Sequence, residues 1–161
     1  MLKKLNLIEE YFLLGTLAFN VVLVFVQVIM RYVFHHSLFW SEEVARFLFL
    51  WFSWIGTSFA VREGAHVKVT VLLDRLEGKA KSILELSSLF IWIAFSIFLA
   101  FQGWKMTMFV ASMQQTSPAL YIPMYLVYAS VPVGSMLMTA RLLLELKNFL
   151  SNALSGRGEA L

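Results

Sequence analysis

Four hydrophobic runs, Tyr11–Phe34, Trp40–Val61, Leu86–Trp104 and Tyr121–Ala140, constrain this chain more than any motif does. Each is near the roughly 20 residues that carry a helix across about 30 Å of hydrocarbon. Lipid offers backbone amides and carbonyls no partner, so such a run crosses the bilayer as a helix that bonds to itself. With 60% hydrophobic and 14% charged residues and a mean hydropathy of +0.75, the composition excludes a soluble domain. The sequence predicts an all-α integral membrane protein of four transmembrane helices, a single domain over residues 1–154 with a flexible tail at 155–161. The second run has the shortest uncharged core, Phe47–Val61, which Trp40 and the long stems of Arg46 and Arg62 extend.

Lys3 and Lys4 ahead of the first run suit a signal peptide. That run, however, exceeds the usual signal core of roughly 7–15 residues and carries Asn20, Gln27 and Arg31 where small residues would mark cleavage, so it is expected to be retained. Ten basic residues lie on one side of the spans: Lys3, Lys4, Arg62, Lys68, Arg75, Lys79, Lys81, Arg141, Lys147 and Arg157. Arg31, Arg46 and Lys105 lie on the other. This bias predicts both termini in the cytoplasm, with loops around residues 35–40 and 105–120 outside. It also accounts for the net charge of +3 without a nucleic acid partner. The absence of cysteine excludes disulfides and thiolate metal sites. Stripes in Met1–Glu10, Leu72–Leu84 and Leu142–Leu150 predict amphipathic segments lying on the membrane surface.

Polar groups are densest from Trp40 to Asp74. Ser41 is placed to cap a helix, Glu42 and Glu43 occupy its positive end, and Arg46 follows on the same face. At the other end Arg62, Glu63, Gly64 and His66 come in close order, the glycine suited to a left-handed cap. In the first run Thr16, Asn20, Gln27 and Arg31 fall within a sector of roughly 60° at 100° per residue. Such a stripe must face protein, either the chain's own helices or another subunit. Gly56 with Ala60, and Ser130 with Gly134, have the spacing that lets membrane helices approach closely. Trp51 and Trp54 lie deeper than an interfacial belt and are expected to anchor a protein contact. Pro123 starts the fourth run, and Pro132 should bend it.

Catalysis finds no support, since nothing pairs a nucleophile with a base. A haem anchor needs axial ligands that meet across one plane, yet His35 and His36 are predicted outside and His66 inside. A small multidrug-type exporter wants a carboxylate within a span; Glu9, Glu10, Glu42 and Glu43 all lie at span edges. No resident cofactor or metal is expected.

The run RYVFHHSLFWSEEVARFLFLWFSWIGTSFAVREGAHVKVTVLLDRL resembles the small membrane subunit, DctQ-like, of tripartite ATP-independent periplasmic (TRAP) transporters. The pattern is an aromatic end to the first span, then Trp40, Glu43 and Arg46, and then Gly56, Arg62, Gly64 and His66. The resemblance implies an inner-membrane accessory subunit, paired one-to-one with a large membrane subunit that moves as an elevator on a sodium gradient. A periplasmic binding protein would deliver an organic acid such as a C4-dicarboxylate or a sialic acid, the sialic acid being favoured. Sodium would bind the large partner. Asn20, Gln27, Arg31, Trp51, Trp54, Gly56 and Ala60 become candidate subunit contacts. Lys105, Gln114 and Gln115 become candidate outer docking residues. Glu43 and Arg46 are expected to form an outer ion-pair cluster, and Arg62 and His66 to bond carbonyls or phospholipid phosphates.

Overall fold

The computed structural model describes residues 2–62 and 79–154. The described residues form five helices in order: α1 (Leu2–Tyr32), α2 (Phe39–Arg62), α3 (Lys79–Ser112), the single turn α4 (Tyr125–Tyr128) and α5 (Ser130–Leu154). Among the described residues four stretches are long and apolar enough to span a bilayer: Leu7–Tyr32, Phe39–Val61, Ser82–Ser112 and Tyr125–Ser151. Gly64, His66, most of the surface segment expected at 72–84 and the tail at 155–161 fall outside the described residues.

Helix bounds differ from the hydropathy bounds for local reasons. The amphipathic start, expected as a separate surface segment, runs without a break into α1. Helix α3 continues to Ser112, past Lys105, because a charge does not interrupt an i to i−4 ladder. The fourth span begins at Tyr125 rather than Tyr121, since Pro123 pairs with Thr116 in the preceding turn. Pro132 does not bend the middle of the span. It lies in the first turn of α5, where its missing N–H is tolerated, and the break falls just before it at Ala129. Ser41 is not the cap of α2 either: the helix starts at Phe39, and the Ser41 hydroxyl donates to the Leu38 carbonyl at 2.8 Å.

The helices pack as an open row, α1 on α2, α2 on α5 and α5 on α3, rather than as a closed bundle. Leu2 and Leu154 lie at one end of the row, the terminal end. The turns near residues 33–38 and 113–124 lie at the other, the loop end.

Two kinds of packing hold the middle seams. Towards the terminal end Val61, Leu89, Ile93, Met138 and Leu142 form an apolar core shared by α2, α3 and α5. Elsewhere the seams use small residues, with Ser58, Ser96, Ser130 and Ser135 fully buried. Two of these hydroxyls turn back on their own helices: Ser96 donates to Ile93 O at 3.0 Å and Ser135 to Val131 O at 2.7 Å. A serine so satisfied behaves as a small residue and allows close approach. Across the α3–α5 seam, Thr139 Oγ1 lies 2.9 Å from Ser96 Oγ.

Two glycines are required for the fit. A Cβ on Gly103 would stand 2.9 Å from Val131 Cγ1 and 3.0 Å from Pro132 Cδ. One on Gly134 would stand 2.6 Å from the Trp54 carbonyl oxygen.

Candidate functional site

One carboxylate organises the loop end. Glu43, in α2, is 4% exposed and turns inward. It accepts the Ala119 N–H at 3.3 Å and the Leu120 N–H at 3.0 Å. These amides need an acceptor because the connection from α3 to α4 reverses sharply. Gln114 (φ 51°) and Tyr121 (φ 56°) occupy the left-handed region. Ser117 N–H donates to Ile122 O, and Met124 N–H to Gln115 O, each at 2.9 Å. Glu43 thus ties the start of α2 to a turn about 76 residues away. At the neighbouring corner His35 takes φ 50° and His36 N–H returns to Met30 O at 2.9 Å. These turns border an open cavity of about 940 Å³, lined by His35, His36, Trp40, Glu42, Arg46 and Pro118 among others.

Glu43→Ala should therefore leave two amides without their acceptor. Hydrogen exchange at Ala119 and Leu120 is expected to accelerate about tenfold or more, while amides within α3 and α5 keep their protection. Equal protection in the variant would mean that the turn holds itself.

The terminal end carries a second polar tie. Arg141 of α5 pairs with Glu9 of α1, their side chains 15% and 8% exposed, although the two helix backbones do not meet. Between α1 and α2 lies an apolar groove of about 610 Å³ that includes Leu14, Leu17, Phe52, Gly56 and Ala60, with Glu10 at its lip.

The expected site residues distribute as follows. Thr16 is buried, Asn20 and Gln27 are half-buried and Arg31 is exposed, so most of the stripe turns towards α2, the helix on which α1 packs. Trp51 is half-buried, and the Trp54 backbone abuts Gly134, a contact within the chain. Gly56 is not a tight crossing: its added Cβ would sit 3.9 Å from Leu13 Cδ2. Trp40 is exposed at the cavity lip. Glu43 and Arg46 do not form the expected ion pair; Glu43 bonds amides, and Arg46 is exposed with its guanidinium 6.0 Å from the Phe47 ring. Arg62 is the last residue of α2. Gln114 and Gln115 lie exposed on the connection, whereas Lys105 lies two turns inside α3 and not on a loop.

The pairing of Glu9 with Arg141, the close contact at Gly103 and the buried Ser58, Ser96 and Ser135 escaped the sequence reading. An acid near the start of the first span and an arginine at the end of the last were the available signal for the pair.

Chemically, these groups tie helices and turns together. Among the described residues no three His, Cys, Asp or Glu side chains gather to hold a metal. What faces outward is mostly apolar helix: only 11% of the α1 window is buried.

Similarity to known proteins agrees with this architecture. Residues 20–152 match the family model of tripartite ATP-independent periplasmic transporters, DctQ component. The chain is 35% identical over 107 residues to the C4-dicarboxylate TRAP transporter small permease protein DctQ of Rhodobacter capsulatus, covering 66% of this chain and 47% of that protein. It is 32% identical over 151 residues to the isethionate TRAP transporter permease protein DctMQ of Oleidesulfovibrio alaskensis, covering 88% of this chain and 23% of that one. To the sialic acid TRAP transporter small permease protein SiaQ of Vibrio cholerae it is 34% identical over 88 residues, covering 54% and 51%. The chain thus spans about half the length of the first and third of these relatives and about a quarter of the second. With four apolar helices and a family match over most of its length, this multi-pass inner-membrane chain belongs to the DctQ component family of tripartite ATP-independent periplasmic transporters.

Proposed function

We propose that the chain is the small accessory subunit of a TRAP transporter, a fixed scaffold beside a larger membrane subunit. On this reading the larger subunit binds sodium and carries an organic acid inward, after a periplasmic binding protein delivers it. The observation that carries the reading is the open row of helices, in which both flanks are apolar and uncovered among the described residues, as suits a chain that works against a larger neighbour. An accessory role without a substrate site is supported by the relatives' names. Modules of similar identity serve proteins named for C4-dicarboxylate, isethionate and sialic acid, so similarity in this module does not follow the cargo. The excess of Lys and Arg on one side of the spans in the sequence supports a cytoplasmic terminal end and a periplasmic Glu43 turn. There the cavity beside Trp40 and Arg46 is available to the binding protein.

A scaffold of this kind acts mechanically. An elevator displaces one domain against another, and extra anchored helices raise the cost of tilting the stationary part in a bilayer of fixed thickness.

The test is reconstitution. A tag on this chain should recover a larger membrane subunit in a one-to-one ratio. Liposomes holding both should take up labelled organic acid, sialic acid first, only with a sodium gradient and the matching binding protein. Uptake by this chain alone would overturn the reading in favour of a small exporter.

A further inference from the structure

We infer that the outward face of α3 centred on Lys105 is a helix-packing surface whose partner, the larger membrane chain, presents a carboxylate to the Lys105 ammonium. The inference rests on the reading of this chain as a subunit of a larger assembly and names the face by which it is held.

Depth comes first. Gly134 touches the Trp54 backbone, and Gly103 touches Pro132. Helices α2 and α5 run in the same direction, so Pro132, two residues before Gly134, is level with about Phe52. Gly103 shares that level. Helix α3 runs the other way, so Lys105 is level with about Leu50, four residues and about 6 Å deeper than Arg46. Lys105 therefore stands beside the uncharged core of the second span, Phe47–Val61.

Direction comes second. Helical side chains lean towards the helix N-terminus, which for α3 is the terminal end, away from the near membrane surface. The Lys105 ammonium follows this lean and lies 4.3 Å from the Phe101 ring centroid. It points deeper into the bilayer rather than back to the headgroups.

Environment comes third. Ser96, Gly103 and Thr107 mark the seam of α3 with α5, and at 100° per residue Lys105 stands opposite that seam. Its face is shared with Phe98, Phe101, Met108 and Phe109, all exposed. Among the described residues no carboxylate meets it. A cation directed into hydrocarbon costs several kcal/mol unless an anion covers it.

Of the possible anions, a carboxylate on a neighbouring helix fits best. A lipid phosphate lies on the wrong side of Lys105 for an ammonium that points inward. A symmetric contact with a second copy through this face would set lysine against lysine. A larger polypeptide neighbour has a precedent: the matched 151 residues make up 23% of the DctMQ relative, where such a module is joined to a much longer chain.

The experiment uses the complete transporter in native membranes, with a photo-reactive residue at Met108 and Lys105 intact. Adducts are expected on a helix of the larger chain that bears an aspartate or glutamate. Lys105→Glu should lower the larger chain recovered with this one about tenfold or more. Lys105→Arg should retain it, and reversing the charge of the cross-linked acid should restore binding to Lys105→Glu. Because Lys105 faces away from its own core, the amount of this chain in the membrane should not change. Adducts confined to lipid or to a second copy, or undiminished recovery by Lys105→Glu, would overturn the inference alone. Failure of the wild-type chain to recover any larger membrane chain would overturn the proposed function as well.

Discussion

Gly134→Leu is expected to prevent α2 and α5 from docking and to destabilise the purified chain by about 3 kcal/mol or more. Even the first carbon of a side chain there would lie 2.6 Å from the Trp54 carbonyl oxygen and 2.7 Å from its Cβ. Neither atom belongs to a flexible chain end, so the helices themselves must part. Overpacking usually costs about 1–3 kcal/mol, and a rigid backbone opposite puts this site at the upper limit or beyond. Because α2–α5 is the central seam of the row, the loss propagates to both flanks. Gly134→Ala should already show much of the effect. Gly56→Ala is the control: its Cβ would meet Leu13 at an ordinary 3.9 Å, and its melting should stay within about 0.5 kcal/mol of wild type. Thermal unfolding in detergent reads all three. Equal melting of Gly134→Ala and Gly56→Ala would show that the seam is softer than its geometry implies.

Arg141→Ala is expected to cost about 3–5 kcal/mol, far more than an arginine at a helix end in water. The substitution strands the Glu9 carboxylate between helices with its side chain 8% exposed, and an uncompensated buried charge is the expensive case. Replacing both partners, Glu9→Leu with Arg141→Leu, should recover most of the loss, because the penalty comes from the orphan and not from the missing attraction. A double-mutant cycle on melting measures this directly. Additive losses would place the two side chains apart in the membrane.

Hydropathy revealed the four spans because lipid imposes the same demand on every residue of a span, and that demand is written in composition. It revealed the ends less well. Lys105 closed the third run on paper, yet α3 continues through it to Ser112, since backbone bonding is indifferent to the charge it carries outward. The seams were only partly legible. Gly134 stood out through its spacing from Ser130, but Ser96 and Ser135 bond their own helices and read as mildly polar rather than as contact points. Glu43 looked like an acid at a helix start, because nothing local says that the amides of Ala119 and Leu120 return to meet it. Glu9 and Arg141, 132 residues apart, were each read at a membrane edge, the acid as a span-edge carboxylate and the arginine as part of the basic excess. The family was legible in Arg31–Leu76 because aromatic, acidic, basic and glycine positions recur there at fixed spacing, which hydropathy alone does not require.

The order of the row also dictates a schedule of birth. Helices α1 and α2 are consecutive and adjacent, so they can close as a hairpin as soon as both have left the ribosome. Of the described helices α3 comes next, but the one that separates it from α2 is α5, which follows it in the chain. Until α5 slides between them, α3 waits with its serine and glycine seam towards lipid and its lysine facing outward. A nascent chain halted before residue 130 would hold a finished hairpin and an unattached third helix, and the insertion machinery or a ready neighbour must shelter that helix in the interval.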